Sequence, residues 1–161
     1  MDKKLKDSLS KIKLLICDID GVLTDGSFIK STSGEELRSF NALDGVGFVV
    51  LRLLDLNVKT AWITGRESLT TTQRAEELQI DDVYNGVIRK IDAYNELKKK
   101  YELSDSEVCF IGDDIIDIPI LEKVGFAVTV PNAPKYISSY AHYTTAVEGG
   151  KGAVREVIDL L

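Results

Sequence analysis

Residues 12–24, IKLLICDIDGVLT, decide the fold predicted for this chain. The first six residues form an apolar run with a single lysine, which is typical of a strand buried on both faces of a parallel sheet. Two carboxylates, Asp18 and Asp20, follow at once, and Gly21 lets the backbone turn sharply behind them. Ligands of parallel sheets bind where strand ends open into loops, so the sequence predicts a ligand site at residues 18–21.

Strand-like and helix-like stretches alternate along the rest of the chain. Buried strands are predicted at 12–17, 58–64, 108–112 and 126–130, and helices at 44–56, 67–78, 90–101, 114–124 and 151–161. This alternation predicts an α/β fold in which a doubly wound, Rossmann-like parallel sheet carries helices on both faces.

One segment, residues 27–40, breaks the alternation. Two short extended runs flank Thr32-Ser33-Gly34, which predicts a β-hairpin. It is either a plain surface hairpin or a flap beside the site, because it begins shortly after residues 18–21. Since neither a linker nor an internal repeat stands out, we expect residues 1–161 to form a single domain.

Composition excludes several classes of protein. Twenty basic against 26 acidic residues leave a net charge of −6, which disfavours nucleic acid as a partner. No apolar stretch approaches the roughly 18 residues of a membrane helix, and no signal peptide is recognisable, so we expect no membrane association and a cytoplasmic location. Cys17 and Cys109 lie in apolar runs and are expected to be buried, reduced thiols. With His142 as the only histidine, catalysis by a Ser/His or Cys/His pair is disfavoured.

A second predicted strand also ends in acids, at GDDIID, residues 112–117. If the two strands are neighbours, their carboxylates crowd one cleft, and like charges about 4 Å apart repel by about 4 kcal/mol at an effective dielectric of 20. A cation is then required, and Mg²⁺ suits carboxylate ligands together with a phosphate oxygen. The alternative is that DIDG is only a turn and GDD only a helix cap.

Two further residues favour a phosphoryl group as the ligand. Thr64 closes a predicted strand before Gly65 and Arg66, and Lys90 opens a predicted helix. A hydroxyl and an ammonium group at strand ends are suited to neutralising phosphoryl oxygens.

The motif order DxDGxxT, TG, Lys, GDDxxD resembles the haloacid dehalogenase superfamily of aspartate-nucleophile phosphatases, over residues 11–161. More narrowly, five stretches are similar to the 3-deoxy-D-manno-octulosonate 8-phosphate phosphatases. They are DIDGVLTDG, the GEE of the hairpin, FNALDG at 40–45, TGRES at 64–68 and GGKGAVREV at 149–157. Those enzymes lack a cap domain and work as homotetramers in lipopolysaccharide biosynthesis.

The resemblance implies a role for each acidic residue of the first motif. Asp18 is expected to attack phosphorus and form an aspartyl-phosphate, and Asp20 to act as general acid and then general base. The implied Mg²⁺ ligands are a carboxylate oxygen of Asp18, the backbone carbonyl of Asp20, and Asp113.

The other motifs have implied roles as well. Thr64, Gly65 and Lys90 are expected to bind the phosphoryl group, and Arg66 to contact the substrate's carboxylate. Asp117 is expected to orient Lys90 or a metal-bound water. Asp114 is either an outer partner of the site or a helix cap.

A capless chain is too small to enclose a sugar phosphate, since only the hairpin is left outside the α/β core. We therefore expect a homo-oligomer, most simply a tetramer, in which a neighbouring subunit completes the site. Phe28 and Ile29 of the hairpin are the predicted interface residues, unless they pack on their own domain.

Two departures from the family pattern leave the substrate open. Leu43 stands where relatives often have arginine, and the sequence ends at Leu161 where relatives commonly continue into a tail. The alternatives are a phosphatase for nine-carbon ulosonate 9-phosphates (KDN or N-acetylneuraminate), a nucleotidase or phosphotransferase of the same superfamily, and a non-catalytic regulatory domain. A signalling receiver domain is disfavoured, since it does not need the second aspartate of DxD.

Overall fold

A computed structural model describes residues 3–161, which are built around a six-stranded, entirely parallel sheet. In spatial order the strands are β5 (Asp82–Asn85), β4 (Lys59–Thr64), β1 (Leu14–Cys17), β6 (Val108–Ile111), β7 (Phe126–Thr129) and β8 (Tyr143–Thr144). A separate antiparallel hairpin is formed by β2 (Ile29–Lys30) and β3 (Glu36–Leu37).

Helices cover both faces of the sheet. They are α1 (Lys3–Leu9), α2 (Ala42–Leu53), α3 (Leu69–Leu78), α4 (Lys90–Tyr101), α5 (Ile118–Leu121) and α6 (Ala153–Ile158). Leu15 and Cys17 of β1 face a core shared with α2, α3 and α6, while Leu14 and Ile16 face a second core shared with α4 and α5. The predicted doubly wound α/β fold is confirmed, and residues alternate between two buried faces as the apolar run of β1 requires.

Strand β1 lies at the centre of the sheet, between β4 and β6. Leu14 is paired with Lys59 on one side and with Val108 on the other. Because all three strands run in the same direction in this register, their carboxyl ends open at one edge of the sheet. The two acidic strand ends are therefore neighbours, which was the condition for a crowded cluster of carboxylates.

Two strands and one helix were not predicted. β5 has the sequence DVYN and is only half-buried, and β8 contains two residues, so neither shows the apolar run of a central strand. α1 is short and rich in lysine. Edge strands with polar ends carry a weak sequence signal, because their stability comes from pairing with a neighbour that sequence alone does not reveal.

The prediction of a continuous helix at 114–124 is wrong. Residues 115–117 form a 3₁₀ turn, and α5 begins only at Ile118. Pro119 explains the break, because proline is tolerated in the first turn of a helix but would clash with a carbonyl of a preceding turn. The ends of the other helices differ by a few residues from the predicted ranges. For example, α2 begins after the Asn41 cap, and α6 begins after Gly152, whose φ is 98°.

The hairpin forms where the sequence predicts it, with Ile29 paired to Leu37 and Lys30 to Glu36. Gly34, with φ of 89°, turns the chain between the two strands. The described residues contain no cap domain, and none of their helices is long and apolar enough to cross a membrane. Cys17 and Cys109 are buried free thiols, as expected.

Candidate active site

The strand ends enclose a cavity of about 300 Å³ at the carboxyl edge of the sheet. Asp18 follows β1, Thr64 ends β4, Asp113 lies just beyond β6, and Lys90 begins α4. Eight of the nine predicted site residues line it, together with two isoleucines: Asp18, Asp20, Thr64, Gly65, Arg66, Ile88, Lys90, Asp113, Asp114 and Ile116. The parallel topology thus gathers residues that are up to 96 positions apart in the sequence, from Asp18 to Asp114.

Asp18 is buried at the base of this cavity, with only 5% of its surface exposed. Its Oδ1 accepts a hydrogen bond from the Ile19 N–H at 2.7 Å and lies 2.8 Å from the Nζ of Lys90. Burial raises the pKa of Asp18 to about 6, and the ammonium group of Lys90 opposes the rise. Lys90 therefore favours the ionised form of Asp18 and holds its carboxylate in one orientation.

Lys90 bridges two carboxylates inside the protein. Its fully buried Nζ donates to Oδ1 of Asp117 at 2.7 Å as well as contacting Asp18. Burial alone would lower the pKa of Lys90, but the two carboxylates outweigh it and raise the pKa. Asp117 is anchored in turn, because its Oδ2 accepts from the backbone N–H groups of Asp113 and Asp114 at 2.9 and 3.1 Å. Asp117 therefore lies beneath the cavity and fixes Lys90.

A cluster of carboxylates suited to a metal ion surrounds this lysine. Oxygens of Asp18, Asp113 and Asp117 lie within 4.8 Å of one another. Burial, reinforced by the charges of Asp18 and Asp117, raises the pKa of Asp113 to about 8. One lysine neutralises three carboxylates only in part, so the donor set fits a hard divalent cation with oxygen ligands, such as Mg²⁺. This cluster of carboxylates includes Asp117, which is not among the predicted metal ligands. Asp20 is among them, but it is expected to contribute its backbone carbonyl and not its carboxylate.

Gly21 permits the two strand ends to approach each other. A Cβ at this position would lie 2.0 Å from Oδ2 of Asp113, and the residue has a φ of 94°. Both the backbone conformation and the available space therefore require glycine. Asp114, in contrast, is exposed and accepts from the N–H of Ile115 at 2.6 Å, so it is the cap of the 3₁₀ turn.

Thr64 and Gly65 form the wall opposite the acidic cluster. The buried hydroxyl of Thr64 accepts from the N–H of Arg66 at 3.3 Å, and its carbonyl accepts from the N–H of Val87 at 2.8 Å. These bonds hold the loop after β4 against the loop before α4. The arrangement presents a small hydroxyl and a glycine backbone to the cavity beside Lys90.

The hairpin contributes two charged residues that the sequence analysis missed. Glu36 forms ion pairs with Arg66 and Arg38, and Nη1 of Arg38 lies 3.0 Å from Oδ1 of Asp20. The guanidinium of Arg66 also stacks over the ring of Phe28 at 4.1 Å. A signal was available, because residues two apart in an extended strand share a face and Glu36 and Arg38 are so spaced.

Asn132 is a further contributor that was missed. Its side chain donates to the carbonyl of Gly21 at 2.9 Å and accepts from the N–H of Gly149 at 2.8 Å. A Cβ at Gly149 would lie 1.7 Å from the Gly21 carbonyl oxygen. The GGKG stretch therefore packs against the backbone of the DIDG turn, and Asn132 supports that turn from beneath.

The FNALDG stretch turns out to stabilise the fold around the site. Asn41 caps α2 by accepting from the N–H of Leu43 at 2.8 Å and donates to the carbonyl of Gly150 at 3.1 Å. Asp44 is buried and accepts from the N–H of Arg155 in α6 at 2.8 Å. Leu43 is 56% exposed on the first turn of α2 and does not line the cavity in the described part of the chain.

Comparisons with known proteins agree with this geometry. The family profile of haloacid dehalogenase-like hydrolases matches residues 55–158. A 3-deoxy-D-manno-octulosonate 8-phosphate phosphatase from Yersinia pestis is 43% identical over 152 residues, covering 94% of this chain and 80% of that protein. A crystal structure of that enzyme from Yersinia pestis superposes with a TM-score of 0.95 at 40% identity, covering 99% of this chain and 85% of the other. The enzyme from Moraxella catarrhalis, solved with magnesium, phosphate and KDO, superposes with a TM-score of 0.94 at 35% identity, covering 99% and 91%.

Proposed function

This chain belongs to the haloacid dehalogenase-like hydrolases, and from that premise we propose that it is a phosphatase acting on 3-deoxy-D-manno-octulosonate 8-phosphate. One observation carries the proposal. The buried Asp18 carboxylate, held by Lys90 beside Asp113, faces a cavity whose rim carries the guanidinium of Arg66. Such a site offers a nucleophile and cations to a phosphoryl group, and a second cation to a carboxylate on the sugar.

In the proposed reaction Asp18 is the nucleophile. Its carboxylate oxygen forms a bond to phosphorus while the bond from phosphorus to the sugar oxygen breaks, which leaves an aspartyl-phosphate and a sugar alkoxide. Lys90 supports this role by neutralising charge and fixing the orientation of the Asp18 carboxylate. Water then attacks the phosphorus of the aspartyl-phosphate, which releases inorganic phosphate and regenerates Asp18.

Asp20 is the proposed general acid and base. Its side chain is 28% exposed at the mouth of the cavity, two residues beyond Asp18, where a leaving group has to depart. Burial raises the pKa of Asp20, against the opposing charges of Arg38 and Arg66, which favours the protonated form needed to protonate the alkoxide. The resulting carboxylate then accepts a proton from the attacking water.

The remaining site residues bind the two ends of the substrate. We assign Thr64, Gly65 and Lys90 to the phosphoryl oxygens and Arg66 to the sugar-acid carboxylate. Asp18, Asp113 and the backbone carbonyl of Asp20 are the proposed Mg²⁺ ligands, and Asp117 fixes Lys90. Bound Mg²⁺ would supply positive charge that screens the carboxylates from the phosphoryl oxygens.

Phosphate release in the presence of Mg²⁺ tests the substrate assignment. We expect kcat/KM for 3-deoxy-D-manno-octulosonate 8-phosphate to exceed that for nine-carbon ulosonate 9-phosphates by about 10-fold or more, because the relatives that match 93–94% of this chain are phosphatases of the eight-carbon sugar. p-Nitrophenyl phosphate, which lacks the carboxylate, should be a poorer substrate still. A preference for a nine-carbon sugar would overturn the substrate, and no turnover of any ester would favour a regulatory domain.

We also propose that the protein works as a homotetramer in the cytoplasm, in lipopolysaccharide biosynthesis. The observation that supports oligomerisation is the hairpin, where Phe28, Ile29 and Leu37 are 45%, 66% and 61% exposed beside an open cavity. A neighbouring hairpin would bury these side chains and help to exclude water from the site. Two free, buried cysteines suit a reducing compartment.

Sedimentation velocity at micromolar concentration tests the assembly. We expect a sedimentation coefficient of a tetramer for the unmodified protein, and smaller species for Ile29→Asp, because a charge would be buried at the proposed interface. Leu53→Asp is the matched control, since Leu53 is 78% exposed on α2, away from the hairpin. A stable monomer of the unmodified protein would contradict the proposal, and a stable dimer would correct its stoichiometry.

A further inference from the structure

We propose that Arg38 is a positioning residue that holds the Asp20 carboxylate at the mouth of the cavity for its transfer of a proton to the leaving group. This inference rests on the proposed function, and in particular on the role of Asp20 as general acid. It adds a residue from the hairpin that no motif identified.

The first support for this role is the burial of the Arg38 side chain. Although the hairpin is largely exposed, the Arg38 side chain is 0% exposed, and its Nη1 lies 3.0 Å from Oδ1 of Asp20. Burying a guanidinium is costly, since it loses hydration that has to be replaced by protein partners. A hairpin that only covered the surface would have no need of a charge at this position.

The second support is the set of groups that fixes the plane of the guanidinium. The Nε of Arg38 donates to Oε1 of Glu36 at 3.1 Å, and Nη1 donates to the hydroxyl of Thr71 on α3 at 3.2 Å. These two hydrogen bonds, one to the hairpin and one to α3, leave the fork little freedom to rotate. Arg38 is thus held by β3 and α3, and it can transmit that rigidity to Asp20.

The third support is that two buried polar atoms of the Arg38–Asp20 pair lack a hydrogen bond. Nη2 of Arg38 and Oδ1 of Asp20 are both buried without a hydrogen bond of good geometry, although the two groups form an ion pair. Catalytic hydrogen bonds are often poorly aligned until substrate is bound. Among the described residues, Arg38 is the one charged partner of Asp20 Oδ1, so the ion pair is the contact that can orient this oxygen.

Leaving-group dependence distinguishes positioning of an acid from general structural support. A sugar alkoxide needs a proton as it departs, whereas p-nitrophenolate is a stable anion that needs none. kcat/KM reports only the steps up to departure of the leaving group, so it excludes the later hydrolysis of the aspartyl-phosphate. Loss of Arg38 should therefore affect the two esters unequally.

The experiment compares kcat/KM of Arg38→Met for 3-deoxy-D-manno-octulosonate 8-phosphate and for p-nitrophenyl phosphate. We expect a loss of about 10- to 100-fold on the sugar phosphate and of less than about 3-fold on the aryl ester. Arg38→Lys keeps a cation and should restore part of the sugar phosphate activity. Arg74→Met, which removes another largely buried arginine that pairs with Glu77 instead of Asp20, is the control and should change neither value.

Asp20→Asn completes the test, since it removes the acid itself and should show the same selective loss. If Arg38 acts through Asp20, adding Arg38→Met to Asp20→Asn should cost little more. Equal losses on both esters, no loss, or full additivity would overturn the inference. If Arg38→Met does not fold, the losses of kcat/KM on the two esters are compared for Arg38→Lys instead. An equal effect of Arg38→Lys on both esters would then overturn the inference. Failure of the unmodified protein to hydrolyse either ester would instead overturn the proposed function.

Discussion

Asp18→Asn is expected to lower kcat on the sugar phosphate by at least about 10³-fold while leaving the fold intact. An amide of the same shape cannot form the bond to phosphorus that the carboxylate oxygen forms. Any residual activity should come from the binding and charge neutralisation that the other groups of the site still supply to the phosphoryl group, without an aspartyl-phosphate.

The structure explains why the fold should survive this change. The amide oxygen introduced by Asp18→Asn can still accept from the N–H of Ile19, and Lys90 keeps its contact with Asp117. Steady-state phosphate release gives the loss of activity, and thermal unfolding gives the stability. Asp25→Asn is the matched control, because Asp25 is an exposed carboxylate of the same loop that accepts from the N–H of Ser27. Turnover by Asp18→Asn within about 10-fold of the unmodified protein would rule out a nucleophilic role for Asp18.

Asp113→Asn is expected to stabilise the metal-free protein at pH 8 by about 2 kcal/mol and to abolish its response to Mg²⁺. The charge of Asp113 is repelled by Asp18 and Asp117 in a buried site, and only Lys90 offsets it. Each unit by which a pKa is raised corresponds to about 1.4 kcal/mol of lost stability once the group has to ionise. We expect a smaller gain in stability than the full rise in the pKa of Asp113 implies, since the site can relax.

The sign and the pH range follow from the raised pKa. A carboxyl group whose pKa rises from an ordinary value near 4 to about 8 on folding contributes no penalty below about pH 4. Its penalty grows as the pH rises from about 4 to 8 and is constant above that. The metal-free protein should therefore be less stable at pH 8 than at pH 5.5, and Asp113→Asn should reduce that difference.

Thermal unfolding with and without Mg²⁺ at pH 5.5 and pH 8 measures both effects. A gain of about 2 kcal/mol corresponds to about 4–8 °C for a chain of this size. Mg²⁺ should raise the Tm of the unmodified protein, because it binds only the folded state, and leave that of Asp113→Asn unchanged. Asp114→Asn is the control, since asparagine preserves the exposed cap. A lower Tm for metal-free Asp113→Asn would show that the carboxylates are not in net repulsion.

The sequence was sufficient to predict the centre of the fold. Strands β1, β4, β6 and β7 are buried on both faces, so each is a nearly continuous apolar run that can be recognised without its neighbours. β5 and β8, at the edges of the sheet, could not be predicted, because partners hold them in place and their own composition is polar. The break in the helix at 114–124 could have been predicted, because Pro119 is visible in the sequence.

The residues of the candidate site also include some that the sequence predicts and some that only the structure reveals. Asp18, Asp20, Asp113 and Lys90 follow or precede recognisable elements, and the rule that ligands bind at strand ends gathers them before any coordinates are known. Their roles remain predictions, which the variants above test. The sequence allows two roles for Asp114, and only the local geometry identifies it as a cap.

The sequence alone determined the parallel α/β core and the strand ends that carry its acidic and basic residues, because burial and chain direction are encoded within each segment. Only the tertiary structure placed Arg38 and Glu36 beside Asp20 and Arg66, and Asn132 beneath Gly21. The physical reason is that the path of the hairpin, and of the loop after β7, depends on packing against elements distant in sequence. No local pattern of residues specifies the position of such loops in the folded protein.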